Sequence, residues 1–489
     1  MEMLMPDIVL NWIGGEEFPA LSGKYLEKLN PASGKILCRL ARSEGEDIVR
    51  AVDVAKKAQP LWGEMPPVQR GMLLNDLAMG MKERREDIAG IVAIETGKSY
   101  KEAVGETDGA IALGLFYAGE GQRLYGRTTT SGVTNKYAMT VRQPIGVAGL
   151  IIAANTPIAN VAWKIFPAMI CGNAVILKAA EDTPATAWIV GAIAKEIGLP
   201  HGVLNIMQGL GEECGAPLVA HPDVGVVSFT GSTRVGRMIA EETGKRLARV
   251  SLELGGKNPL VVCDDADLDN AAKWVLLSAF SNAGQRCASA SRVIIFEDIY
   301  EKFREQLISE TDKLKVGSTD EDDFGPVINK SQLDNMLAVV DRAKKEGAIV
   351  LIGGDRMTDT DHIDGFYMAP TLIENVDMKD EISTTELFGP IACLYRARDF
   401  KQALDMANDS PYGLTACIHA KSIHRAIEFT QKVQTGVVVV NAGTYGSEPH
   451  MPFGGFKQSG NGTREPGTEA LDIYSALKDI YVNIDPSKL

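Results

Sequence analysis

Val147-Ala148-Gly149-Leu150-Ile151-Ile152-Ala153 carries no charged or polar side chain, the mark of a strand buried on both faces. Val175-Ile176-Leu177-Lys178 reads as a second strand, and a helical pattern at Pro184–Ile197 leads to a third at Val203–Met207. A short helical piece near Cys214–Ala220 precedes the strand Val224–Phe229, and the helix Thr233–Gly244 leads on to the strand Ala248–Leu252. Strands alternating with helices over about 110 residues predict a parallel sheet with right-handed crossovers.

The flanks extend this α/β pattern. Upstream, residues 43–120 read as helices, with Ala51, Val52, Val54 and Ala55 beginning an apolar face that Met72–Ile88 continues. Thr128–Arg142 is polar and β-branched around Gly132-Val133-Thr134-Asn135, as in a hairpin. Downstream, Pro259–Cys263, Arg292–Phe296 and Ala348–Ile352 read as strands, with helices at Ala271–Ser281, Ile299–Leu314 and Ser331–Glu346. Tyr474–Ile484 is a strand-like tail whose candidate partners are the hairpin and another subunit. No low-complexity linker separates the two α/β regions, which predicts packed domains.

At 489 residues, 45% hydrophobic and 23% charged, the chain has an ordinary globular composition and a core that needs no disulfide staples. Acidic residues number 64 against 50 basic ones, a net charge of −14. That balance argues against nucleic acid or an anionic membrane as partner, because phosphate binding runs on a Lys/Arg excess. The longest apolar stretch, about Val147–Ala154, is too short to cross a bilayer. Glu2 and Asp7, with no basic n-region, give no secretory signal, so a cytoplasmic location is expected. The seven cysteines form no C-x-x-C pair and the six histidines no H-x-x-x-H pair, so no metal site is expected.

Chemistry is suggested at five places, each with an ordinary alternative. Phe229-Thr230-Gly231-Ser232-Thr233-Arg234-Val235-Gly236 joins a strand to a helix, where free N–H groups can meet a phosphate; a plain Ser or Thr N-cap explains it as well. Lys178 and Glu181 end a strand of the same sheet, where ribose hydroxyls or a mere ion pair can occupy them. Cys287 follows Asn282-Ala283-Gly284-Gln285-Arg286, and Arg286 can lower its thiol pKa unless the cysteine is a buried bystander. Glu253, before Leu254-Gly255-Gly256, suits a general base in a confined site or a solvated turn. Asn155 ends an apolar strand, where its amide can donate to an oxyanion or simply make a turn before Pro157.

The order of these motifs, continued by Glu386-Leu387-Phe388-Gly389-Pro390 and Pro452-Phe453-Gly454-Gly455, resembles the aldehyde dehydrogenase superfamily over about residues 10 to 484. The resemblance implies that Cys287 is the nucleophile, Glu253 the general base, and Asn155 with the Cys287 N–H the oxyanion hole. Lys164 and Glu465 resemble accessory proton-relay positions. Lys178 and Glu181 match positions at the adenosine ribose, Ser232 the pyrophosphate contact, and Glu386 with Phe388 the nicotinamide-ribose side; Gly231, Gly236 and Leu254 are implied cofactor-binding positions as well. This chain departs from the common pattern at Ala153-Ala154, where Pro-Trp is usual, at Ala179, where Pro is usual, and by one extra residue in Ser459–Glu465.

The implied architecture is two Rossmann-like parallel-sheet domains and a small β flap. The cofactor-binding domain takes 1–123 and 145–253, the catalytic domain 254–469, and an oligomerisation flap 124–144 and 470–489, giving a homodimer or homotetramer. The implied reaction is oxidation of a small oxygenated aldehyde, a semialdehyde or hydroxyaldehyde, by NAD or NADP through a Cys287 thioester. Glu181 favours NAD, because a carboxylate accepts from the ribose 2′-OH and repels a 2′-phosphate. Gly284–Cys287 and Gly119-Glu120-Gly121-Gln122-Arg123 resemble α-ketoglutarate semialdehyde and glyceraldehyde dehydrogenases. The rivals are a CoA-acylating enzyme, which Glu253 disfavours, and a non-catalytic protein on the same scaffold.

Overall fold

The run that begins at Val147 forms the strand Val147–Ile151, third in a sheet of seven. The computed structural model describes residues 5–488; residues 1–4, with Glu2, and residue 489 lie outside the described residues. In order across the sheet lie Arg249–Glu253, Val224–Thr230, Val147–Ile151, Ala174–Lys178 and Leu204–Met207, all parallel. The antiparallel strands Asn11–Ile13 and Glu16–Phe18 complete it. Alternate residues feed opposite cores, as the two-residue strand period requires: Val175 and Leu177 one, Ala174 and Ile176 the other. Register decides the site. Ile151 pairs with both Phe229 and Lys178, and Thr230 with Glu253, so these carboxyl ends line up on one edge.

A second seven-stranded sheet runs Ile349–Ile352, Thr371–Glu374, Ile391–Ala397, Ala290–Phe296, Asn258–Val262, Thr415–His419 and Val437–Val440, with only the first strand antiparallel. Its strands present their amino ends to the cleft, because Gly256, Cys287 and Phe388 lie just before three of them. The third sheet is the flap: Thr128–Thr130 pairs with Lys136–Pro144, which pairs with Ser475–Asn483 of the same chain. The tail strand begins one residue later than expected. Ala470–Tyr474 before it is a helix, its apolar residues buried in the core of the first sheet.

Two features escape the sequence pattern. Pro157–Ile170 is a helix buried on nearly every side, so it has no polar face for a helical period to reveal. The hairpin Tyr25–Leu29 with Ile36–Ala41 precedes the helices and forms a small sheet with Ile8–Val9. Among the described residues no helix is long and apolar enough to cross a membrane, and no three His, Cys, Asp or Glu side chains gather where a metal ion could sit.

Candidate active site

Cys287 is held by an unusual stretch of backbone. Asn282, Ala283 and Gly284 have φ of 53°, 54° and 65°, three consecutive left-handed residues. Strain of this kind persists only where the surroundings over-determine it. Here Asn282 Nδ2 donates to the Gln285 carbonyl, and Gln285 Nε2 donates to the carbonyls of Asn282 and Pro326. A Cβ on Gly284 would lie 2.1 Å from the Gly389 carbonyl oxygen, so the glycine is obligatory. Asn258 Nδ2 donates to the Cys287 carbonyl at 2.7 Å, which fixes the main chain beneath the thiol. Cys287 is partly exposed, whereas the other six cysteines are buried.

The thiol lies where two cavities meet. One, of about 290 Å³, is lined by Thr230, Gly231, Ser232, Leu254, Glu386 and Phe388; the other, of about 420 Å³, runs past Glu102, Gly109, Arg286 and Tyr445. Asn155, Thr156, Ala159, Trp163, Cys287 and Phe453 line both. The Trp163 and Phe453 rings meet edge to face, 5.4 Å between centroids. Neither ring stands out as functional in sequence, since an aromatic on an apolar helix or loop looks like core.

Asn155 lies four residues beyond the carboxyl end of the Val147 strand, in the loop before the helix Pro157–Ile170. Its Nδ2 donates one hydrogen bond, at 2.9 Å, to the Gln285 carbonyl. An amide nitrogen carries two hydrogens, so one remains for an oxygen beside the thiol. Its main-chain carbonyl accepts from Lys98 Nζ at 2.9 Å and from Asn282 Nδ2 at 3.2 Å. Removing this donor by Asn155→Ala is expected to lower kcat about 10²–10³-fold, measured as NAD(P)H formation, with cofactor affinity kept.

Glu253 ends the first strand of the same sheet, with Val224–Thr230 between it and the Val147 strand; it is buried, and among the described residues neither carboxylate oxygen has a hydrogen-bond partner. Burial, with Glu465 nearby, pushes its pKa well above the ordinary carboxylate value, and Lys164 and Arg464 only partly offset this. The Pro452–Gly455 motif has a geometric reason: a Cβ on Gly454 would meet Glu253 Oε1 at 2.7 Å. Behind Glu253, Lys164 Nζ and Glu465 Oε2 form a fully buried ion pair at 2.8 Å. Glu465 also accepts from Ser228 Oγ at 2.9 Å and from the Tyr474 hydroxyl at 2.7 Å. The extra residue in Ser459–Glu465 does not displace it. Asn461 instead brackets the strand edge, accepting from the Leu252 N–H and donating to the Val250 carbonyl, and Gly462 turns at a φ of 96°.

The residues of the first cavity suit the phosphate and nicotinamide end of a dinucleotide. Ser232 caps the helix Thr233–Lys245, leaving its positive end at the cavity. The buried Thr230 Oγ1 has no protein partner. A Cβ on Gly255 would meet Glu386 Oε2 at 1.8 Å, and Glu386 Oε1 accepts from the Gly256 N–H at 3.0 Å. Burial pushes the Glu386 carboxyl up to about 7. Lys178 and Glu181 join at 2.6 Å on the same sheet edge, outside the lining of this cavity. Gly236 does not face the cavity either: a Cβ there would meet Leu254 Cδ2 at 2.5 Å, so it lets the helix pack on that leucine.

One sequence reading is corrected. Arg286 does pull the Cys287 thiol down, but burial and the carboxylates of Glu386 and Glu253 outweigh it and push the thiol up to about 12. The guanidinium instead contacts Glu102 and lies 5.1 Å from the Tyr445 ring centroid. The stretch Gly119–Arg123 lies away from the thiol: Glu120 and Arg123 line a separate pocket with flap residues such as Arg142 and Ser475.

The α/β fold thus brings a partly exposed cysteine, an amide donor and an unpartnered carboxylate into the lining of one cavity. The comparisons make the class specific. The aldehyde dehydrogenase family model matches residues 19–480, and the chain belongs to that family, whose members oxidise aldehydes with NAD(P). It is 39% identical to the α-ketoglutaric semialdehyde dehydrogenase of Bacillus subtilis, over 97% of this chain and 98% of that one. It is 38% identical to aldehyde dehydrogenase 1A1 of Rattus norvegicus, over 97% and 94%. A crystal structure of betaine aldehyde dehydrogenase from Staphylococcus aureus with NAD+ superposes with a TM-score of 0.96 at 32% identity, covering 98% of this chain and 95% of that one.

Proposed function

We propose that this enzyme oxidises a semialdehyde, with α-ketoglutarate semialdehyde as the leading substrate, to its carboxylate through a thioester on Cys287. The observation that carries the reading is the unpartnered Glu253 carboxyl in the same cavity as the Cys287 thiol. In this reading Glu253 takes the thiol proton and Cys287 Sγ attacks the aldehyde carbon. The new oxyanion is held by Asn155 Nδ2–H and the Cys287 N–H. NAD(P), bound in the first cavity, supplies the hydride acceptor. Glu253 then deprotonates a water that attacks the thioester, and the carboxylate leaves as the thiol is restored. Lys164 and Glu465 carry the proton away from Glu253.

Gly231, Ser232 and the start of the Thr233 helix hold the pyrophosphate, with Leu254, packed against Gly236, forming the floor. Lys178 and Glu181 take the adenosine ribose, and Glu386 and Phe388 the nicotinamide ribose. Glu181 makes NAD the preferred cofactor: Glu181→Gln is expected to raise kcat/KM for NADP relative to NAD by about tenfold, since the charge that repels a 2′-phosphate is gone. An unchanged ratio would mean that Glu181 does not face the ribose.

The semialdehyde assignment draws on relatives from Bacillus subtilis and Haloferax volcanii, an α-ketoglutaric and an α-ketoglutarate semialdehyde dehydrogenase. Its test is kcat/KM across α-ketoglutarate semialdehyde, glyceraldehyde, betaine aldehyde and acetaldehyde, each with NAD. The first is expected to lead; a lead by betaine aldehyde or glyceraldehyde would overturn it. The cofactor unit is assigned to 1–123 and 145–253, the catalytic unit to 254–469, and the flap to 124–144 and 470–489. The flap leaves Tyr137, Leu477 and Tyr481 more than half exposed, which supports a homodimer or homotetramer.

A further inference from the structure

The second cavity holds two cations of different standing. Lys98 Nζ is held by a carboxylate and a carbonyl, Glu106 Oε2 at 2.6 Å and the Asn155 carbonyl at 2.9 Å, and Glu106 Oε1 in turn accepts from the Ile158 N–H at 3.0 Å. Arg286 is not. Among the described residues its guanidinium donates one hydrogen bond, from Nη2 to Glu102 Oε1 at 3.3 Å. Arg286 Nε and Glu102 Oε2 are buried without partners, although the two side chains remain 26% and 23% exposed to the cavity. A guanidinium and a carboxylate free to optimise their contact form two parallel bonds of about 2.7–2.9 Å. This pair does not.

The space around the pair is kept open. Glu102, Gly105, Glu106 and Gly109 share one face of the helix Tyr100–Glu120, at the spacing that stacks side chains over one another, and all four line the cavity. A Cβ on Gly105 or Gly109 would meet nothing within 4 Å. Arg286 adjoins Cys287 in the chain, so a short substrate whose aldehyde carbon is at the thiol extends its far end past the guanidinium.

We propose that Arg286 binds the distal carboxylate of the substrate, and that Glu102 is its stand-in while the site is empty. The entering carboxylate takes the guanidinium as a planar fork, and Glu102 is pushed toward solvent. Glu102 thereby sets the affinity from the opposite side, as a competing anion that the substrate must displace. This rests on the semialdehyde reading and adds to it the residue that reads the acid.

The test compares kcat/KM for glutarate semialdehyde and for pentanal, which share a chain length and differ in the acid group. The wild-type enzyme is expected to favour the acid. Arg286→Gln should reduce that preference by at least about tenfold, through KM for the acid. Arg286→Lys should restore part of it, because a point charge replaces a fork. Because Arg286 adjoins the nucleophile, Glu102→Gln serves as an independent arm: it should lower KM for the acid several-fold and leave KM for pentanal where it was. A wild-type enzyme indifferent to the acid would overturn the semialdehyde reading, and this proposal with it. A wild-type preference that survives unchanged in Arg286→Gln and in Glu102→Gln would overturn the proposal alone.

Discussion

Cys287→Ala is expected to abolish aldehyde oxidation, with kcat falling by roughly 10⁴-fold or more, the scale on which removal of a covalent nucleophile acts. The cavity wall changes little, since Cys287 is held by its main chain: Asn258 Nδ2 grips its carbonyl, and the left-handed Asn282–Gly284 turn is fixed through Gln285. Cofactor binding, followed by quenching of tryptophan fluorescence, should therefore survive. Cys171→Ala and Cys263→Ala are the controls. Both thiols are buried, burial pushes each up to about 12, and neither lines the active-site cavities. They should retain most of the activity at some cost in stability. Substantial NAD(P)H formation by Cys287→Ala would end the thioester mechanism.

Glu253→Gln is the second large effect, with steady-state turnover falling about 10²–10⁴-fold. The amide keeps the shape and loses the base. Acylation can persist if Cys287 loses its proton by another route, so a pre-steady-state burst of NAD(P)H followed by slow turnover is expected. The pH dependence follows from the direction of the Glu253 shift. Because burial raises its pKa well above the ordinary 4.5, wild-type activity should climb as pH rises and the carboxyl ionises, and Glu253→Gln should lose that limb. Stability runs the other way. Below 4.5 the group is protonated in both states; above it the unfolded chain gives up the proton while the folded one keeps it. Wild-type stability should thus fall from that pH until the folded pKa is passed, and Glu253→Gln should gain relative to it over the same window, as Tm measured against pH reports.

Much of this was legible in the sequence because parallel strands buried on both faces leave long apolar runs. Val147–Ile151, Val224–Thr230 and Ala290–Phe296 all fall where their composition puts them. The Pro157–Ile170 helix did not show, because burial all round removes the polar face on which a helical period depends. Short strands such as Asn11–Ile13 and Glu16–Phe18 carry too few residues to display an alternation.

At the site, the residues at or just beyond the carboxyl ends of strands were legible: Lys178, Thr230 and Glu253 are placed by register, and Gly231 and Asn155 follow the ends of their strands. What depends on folding one sheet's ends against the other's was not. Nothing local tells that Gly454 must approach Glu253, or that Gly236 serves Leu254 rather than a ligand. Arg286 misled for the same reason. Adjacency in sequence suggested that it acts on the thiol, whereas its side chain leaves along the second cavity to Glu102 and Tyr445. Glu102 lies 184 positions away, so no spacing rule could have joined them.

In the proposed mechanism the aldehyde carbon becomes covalently bound to Cys287, and Glu253 is needed to release it. Intact-protein mass spectrometry of Glu253→Gln, quenched in acid during turnover with NAD and α-ketoglutarate semialdehyde, tests both halves at once. The expected result is a mass increase equal to one acyl group, mapped by peptide digestion to Cys287, while wild-type protein under the same conditions shows little. Continued NADH formation with no acyl mass on the variant, or an acyl group on another cysteine, would contradict it.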